Sequence, residues 1–133
     1  MEIPFINIGY RAHPRMGLCK CSSTALMMHN ETMNFWTHAI PTIYFLAHIY
    51  LSLTGNGIYG QIKSQNNLYI MALGGLVSMF AMFTSALYHL YYIMGPKIYE
   101  NLLKLDLMGI GVGLFGFGVS LTYTAFHNYP VTA

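Results

Sequence analysis

Between Asn34 and Phe126 the chain consists of three apolar stretches parted by two short polar turns. Each stretch is long enough to cross a hydrocarbon core as a helix. The first, 34–54, contains no Asp, Glu, Lys or Arg; the second, 68–92, has only His89 as an ionisable group other than tyrosine; the third, 102–126, carries Lys104 and Asp106 near its start. Only 8% of the 133 residues are charged and 55% are hydrophobic, whereas a soluble domain carries roughly 25% charged residues. So few charges cannot cover a soluble surface, so the expected solvent is a lipid bilayer. The expected fold is an all-α membrane protein with about three transmembrane helices.

Three regions follow. Residues 1–33 read as a cytosolic tail, with 22–33 as a short interfacial helix; 34–126 form the three-helix region; 127–133 form a short non-cytosolic tail. The turns are 55–67 (GNGIYGQIKSQNN) and 93–101 (IMGPKIYEN), the second broken by Gly95-Pro96. Pro41 falls inside the first span and is expected to kink it. Arg11, Arg15, Lys20, Lys97 and Lys104 fall on one side of the spans and only Lys63 on the other, which places the amino end in the cytosol. Tyrosines near the span ends (Tyr50, Tyr59, Tyr69, Tyr91, Tyr92, Tyr123) fit an interfacial belt. The net charge of +2 gives no sign of a nucleic-acid partner. No cleavable signal peptide is expected, because the first apolar block begins behind a polar stretch. Cys19 and Cys21 are too close to bond to each other and read as a reduced pair. The Asn30-Glu31-Thr32 sequon falls on the cytosolic side and is not a glycosylation site.

Ionisable groups at membrane depth cost roughly 2.5–3.5 kcal/mol each on insertion scales and so face partners or water-filled cavities. His89 lies about one turn from the end of the second span, and Asp106 about one turn into the antiparallel third. They should share a depth, with Ser85 on the His89 face four residues earlier. Such a group can bind Zn²⁺ directly or through water. A His–Asp hydrogen bond joining two helices accounts for the pair more simply, since one His and one Asp cannot fill a four-coordinate site. Glu31, Asn34 and His38 recur at helical spacing across the start of the first span, readable as an interfacial capping cluster with Trp36 as anchor. His48 has no partner evident in sequence and should be hydrogen-bonded within the bundle. Gly109, Gly113 and Gly116 make a smooth face for close helix packing.

The strings GYR (9–11), HNETMNFWTH (29–38), SALYHLYY (85–92) and KLDLMGIG (104–111), in this order and spacing, resemble the progestin and adipoQ receptor family, which includes haemolysin-III-like proteins and is distantly similar to alkaline ceramidases. The resemblance implies a seven-helix zinc-containing receptor-like protein of which this chain matches the first three helices, as a short isoform, truncated gene product or fragment. It implies His89 as a zinc ligand, Asp106 as the catalytic aspartate that holds the zinc-bound water, and Ser85 as a motif residue behind them. The family's other ligands, in an H-x-x-x-H motif on its last helix, have no counterpart here, so zinc should bind weakly to this chain alone. The implied ligands are an adipokine-like protein, a steroid or a ceramide-type lipid, and the implied chemistry is lipid amide hydrolysis. The alternative is a non-catalytic three-helix protein that associates with itself or with full-length relatives.

Overall fold

The computed structural model describes residues 9–11 and 16–127. Arg15 and the tail residues 128–133 lie outside them. Among the described residues all regular structure is helical: α1 (Leu18–Ser23), α2 (Thr32–Thr54), α3 (Gln65–Tyr91) and α4 (Pro96–Phe126), with 3-10 turns at Thr24–Leu26, Gly57–Tyr59 and Tyr92–Met94. At 1.5 Å per residue the three long helices reach about 34, 40 and 46 Å, each more than a hydrocarbon core of about 30 Å. Helix α3 with its following turn, and helix α4, are long and apolar enough to cross a membrane. Helix α2 is not one of these two: His38, Pro41, His48 and several hydroxyls interrupt its apolar run.

Helix boundaries differ from those expected, for local reasons. Residues 27–31 do not continue into an interfacial helix. The Thr32 hydroxyl donates to the Met27 carbonyl and accepts from the His29 backbone N–H, while the Glu31 N–H donates to His29 Nδ1. These side-chain bonds take up backbone groups that a helix would have used. Helix α4 starts at Pro96, earlier than residue 102, because proline at the first helical position sacrifices only an N–H that has no helical partner. Helix α2 ends at Gly55, whose φ of 62° is the left-handed cap that glycine adopts without strain. It remains one helix through Pro41.

Helix α3 is central, with α2 and α4 packed against it on separate flanks. Its buried positions are mostly small: Ala72, Gly74, Gly75, Thr84, Ser85 and Ala86. Those of α4 are Asp106, Gly109, Gly113 and Ser120. A Cβ added at Gly113 would lie 2.9 Å from Ala81 Cβ, and one at Gly116 2.7 Å from the Val77 methyls, so the glycine face of α4 lets the two backbones meet. Large side chains such as Ile43, Leu46, Leu107 and Phe115 point outward. Small residues inside and large apolar ones outside is how helices associate in lipid, where burial of apolar area between helices gains little. His48 is held as its position required: Nε2–H donates to the Met71 carbonyl at 3.0 Å, and Tyr59, from the turn after α2, bonds Nδ1.

Candidate functional site

The amino ends of α2 and α4 and the carboxyl end of α3 meet at one end of the bundle. Glu31, the residue before α2, accepts there from His89 Nδ1 at 2.8 Å and from Asn34 Nδ2 at 2.8 Å through Oε2, and from Asn30 Nδ2 at 3.0 Å through Oε1. The carboxylate is buried, and every one of these bonds is donated to it. Because Nδ1 of His89 must carry the proton to serve an ionised carboxylate, the neutral imidazole has its lone pair on Nε2. A carboxylate fixing one ring nitrogen so that the other is free to bind is the usual support of a metal-ligating histidine.

His89, Ser85, Asp106 and His38 line a single cavity of about 550 Å³ between α2, α3 and α4, whose remaining wall is apolar apart from Ser78 and includes Phe45, Met82, Leu114 and Phe117. His38 and His89 lie with ring centroids 5.4 Å apart. His38 Nδ1 donates to the Asn34 carbonyl at 2.6 Å, so its Nε2 also carries a lone pair. Asp106 is buried, and its Oδ1 has no hydrogen-bond partner among the protein atoms. An orphaned buried carboxylate oxygen is costly unless a water or ion satisfies it. The His89–Asp106 hydrogen bond that sequence spacing allowed is not the contact formed: the carboxylate on His89 is Glu31. Among the described residues no three His, Cys, Asp or Glu side chains group closely enough to hold one metal ion.

Two contributors were missed from the residues alone. Helical spacing groups Glu31 with Asn34 and His38 as a capping cluster; nothing in local periodicity links it to His89, which is 58 residues away in sequence. In sequence Arg11 reads only as a cytosolic charge and as part of the GYR string. It is buried, and its guanidinium donates to the carbonyls of His89 at 2.9 Å and Leu90 at 2.5 Å. Trp36 anchors the entry by donating from its indole to the Ala25 carbonyl at 2.9 Å.

Burial by itself would raise the Glu31 carboxyl, but hydrogen bonds from His89 and Asn34, with the charges of His89 and Arg11, outweigh it and hold the group below its ordinary value of 4.5. A carboxylate depressed in the folded state contributes stability that is complete above its unfolded pKa and is lost as pH falls through the folded one. The α2–α3 joint should therefore weaken as pH drops below about 4. Thermal melts of Glu31→Gln across pH 3 to 7, on the order of that window, should be flatter on the acid side than those of the unaltered chain. Equal acid slopes would show that Glu31 is not ionised in the fold. His29 is pushed down, by burial first and then by the charge of Arg11, in keeping with a neutral ring whose Nδ1 accepts from the Glu31 N–H.

Residues 26–133 match the sequence model described as haemolysin-III related. Human membrane progestin receptor delta is 30% identical over 121 residues, which are 91% of this chain and 33% of that protein. Human progestin and adipoQ receptor family member 3 is 28% identical over 129 residues, 95% of this chain and 40% of that protein. Membrane progestin receptor gamma-B of Danio rerio is 50% identical over 38 residues, 29% of this chain and 11% of that protein. The chain thus spans between a third and two-fifths of the length of the first two of these relatives.

Proposed function

This chain belongs to the haemolysin-III-related family, and on that premise we propose that it forms the three-span, zinc-directed front part of a progestin- and adipoQ-receptor-like membrane protein, with the site on the cytosolic side. Family membership and the apolar helices make it an integral membrane protein. The observation that carries the finer reading is the convergence of His38, Ser85, His89 and Asp106 on one cavity. The residues fit part of a zinc shell. His89 would be a ligand, backed by Glu31, and the orphaned Asp106 Oδ1 would hold a water in the cavity and take its proton. Zinc there would supply an activated water and a polarised carbonyl. A catalytic zinc needs about three protein ligands. The rest would come from the H-x-x-x-H helix that the family resemblance implies. Ser85 closes the cavity wall beside His89 and would stay behind the ligand. The apolar wall leading to this polar end suits a steroid or a ceramide-type lipid, and hydrolysis of a lipid amide is the reaction the arrangement could support. Binding of an adipokine-like protein would fall on the opposite side of the membrane.

A second reading is a non-catalytic three-helix protein that associates with itself or with longer relatives. It is favoured by the space between α2 and α4, which both pack on α3 and leave the cavity between them.

The experiment that tests the membrane placement is a protease-protection assay in sealed cells. Among the described residues Arg11, Lys20, Lys97 and Lys104 mark the site's end of the bundle, and Lys63 the other. A tag at Met1 should be protected and a tag at Ala133 accessible from outside or from a lumen. Both tags on one side would contradict three spans.

A further inference from the structure

We propose that Arg11 is a positioning residue for the candidate site, clamping the last turn of α3 so that His89 presents Nδ1 to Glu31 and Nε2 to the cavity. The contacts are specific and come from far apart in the chain. Two carbonyls at the carboxyl end of α3, those of His89 and Leu90, are taken by one guanidinium. Carbonyls at that position have no helical partner, and the helix end favours a cation. The Cys21 thiol donates to the same Leu90 carbonyl at 2.9 Å, so the stub of α1 closes the cap from the other side. The guanidinium also reaches Thr24 Oγ1 at 3.3 Å and lies 5.1 Å from the centroid of the Tyr92 ring.

The residues around Arg11 are shaped for this. Gly9 has φ of 88°, a conformation that suits glycine, and its carbonyl accepts from the Asn30 N–H at 2.7 Å. Asn30 in turn donates to Glu31, the carboxylate that holds His89. Gly9 and Arg11 therefore grip the site from both sides: one through Asn30 to Glu31, the other through the backbone of His89 itself. A surface arginine counted toward membrane orientation would need none of these contacts. The fork of five donors is what one guanidinium needs to hold two carbonyls at once, and a lysine ammonium cannot reproduce that planar geometry.

The inference rests on the proposed role of His89, but its test does not need the metal. The whole chain, labelled with ¹⁵N-histidine and placed in lipid nanodiscs, gives ring-nitrogen signals that report the tautomer, with His89→Ala identifying the His89 pair. The unaltered chain should show His89 as a single tautomer with the proton on Nδ1. Arg11→Ala should turn it into a mixture, and amides of residues 86–94 should exchange about tenfold faster. Arg11→Lys should be intermediate, and if Arg11→Ala does not fold, that variant decides on the same readouts. Tyr59→Phe, which loosens the far end of the bundle at His48, should leave the His89 signals unchanged. Wild-type tautomer and exchange in Arg11→Lys would overturn the two-carbonyl clamp. A response of His89 to Tyr59→Phe equal to that of Arg11→Lys would overturn it too, by showing that general loosening is enough. Zinc chloride added to a form carrying the H-x-x-x-H helix separates the two ideas. Normal ring signals with no zinc uptake would sink the metal reading while leaving the clamp supported.

Discussion

Gly109→Leu is expected to part α4 from α3. A Cβ at this position would collide with Thr84 Oγ1 and stand 3.2 Å from the backbone Cα of Ala81. Thr84 is only 1% exposed and bonds back to the Phe80 and Ala81 carbonyls, so it cannot swing away cheaply, and backbone cannot yield at all without moving the helix. Overpacking of this kind costs typically about 1–3 kcal/mol, and leucine here should reach the top of that range. The structure provides its own control two residues on. Gly111 has nothing within 4 Å of an added Cβ, so Gly111→Leu should change stability by less than about 0.5 kcal/mol. Reversible unfolding in mixed micelles, followed by helical signal, compares the two. Because Asp106 lies one turn before Gly109, the damaging variant should also draw Asp106 out of the cavity. Equal effects of the two leucines would show that the glycine face does not form the seam.

That seam was legible in sequence because helical spacing is local: three glycines at i, i+4 and i+7 declare a face without reference to anything else. The shared depth of His89 and Asp106 was legible for the same reason, since a short turn between antiparallel helices fixes it. What the residues alone did not disclose is which side chains meet across elements. Glu31 on His89, Arg11 on the His89 and Leu90 carbonyls, and Tyr59 on His48 are all contacts whose sequence separation carries no periodic mark. The interfacial helix expected at 22–33 breaks at 27–31 because local side-chain bonds at His29 and Thr32 compete with it, which composition cannot weigh. The motif strings meet in the fold. The arginine of GYR and the glutamate of HNETMNFWTH both bond to the end of α3, and the glycine of GYR bonds to Asn30 beside that glutamate, although the reason for each appears only in three dimensions.

The second large effect is on metal. His89 is the direct ligand in the proposed site, and no second histidine among the described residues has a buried carboxylate behind it. Losing a supporting partner outside the metal's own shell costs roughly 10- to 100-fold in affinity, the range expected for Glu31→Gln. Losing the ligand should cost more, with the remaining groups too few to hold the ion. Among the described residues His38 is the imidazole placed to compensate, since its ring lies beside that of His89 and its Nε2 carries a lone pair. The double variant His38→Ala with His89→Ala should therefore bind no more weakly than His89→Ala if His38 is only a wall residue, and more weakly if it substitutes. Zinc analysis of the purified 133-residue chain beside a form extended with the H-x-x-x-H helix tests the central claim most directly. The account predicts far less than one zinc per chain in the first, one in the second, and its loss from the second on His89→Ala. Stoichiometric zinc that survives His89→Ala would contradict it.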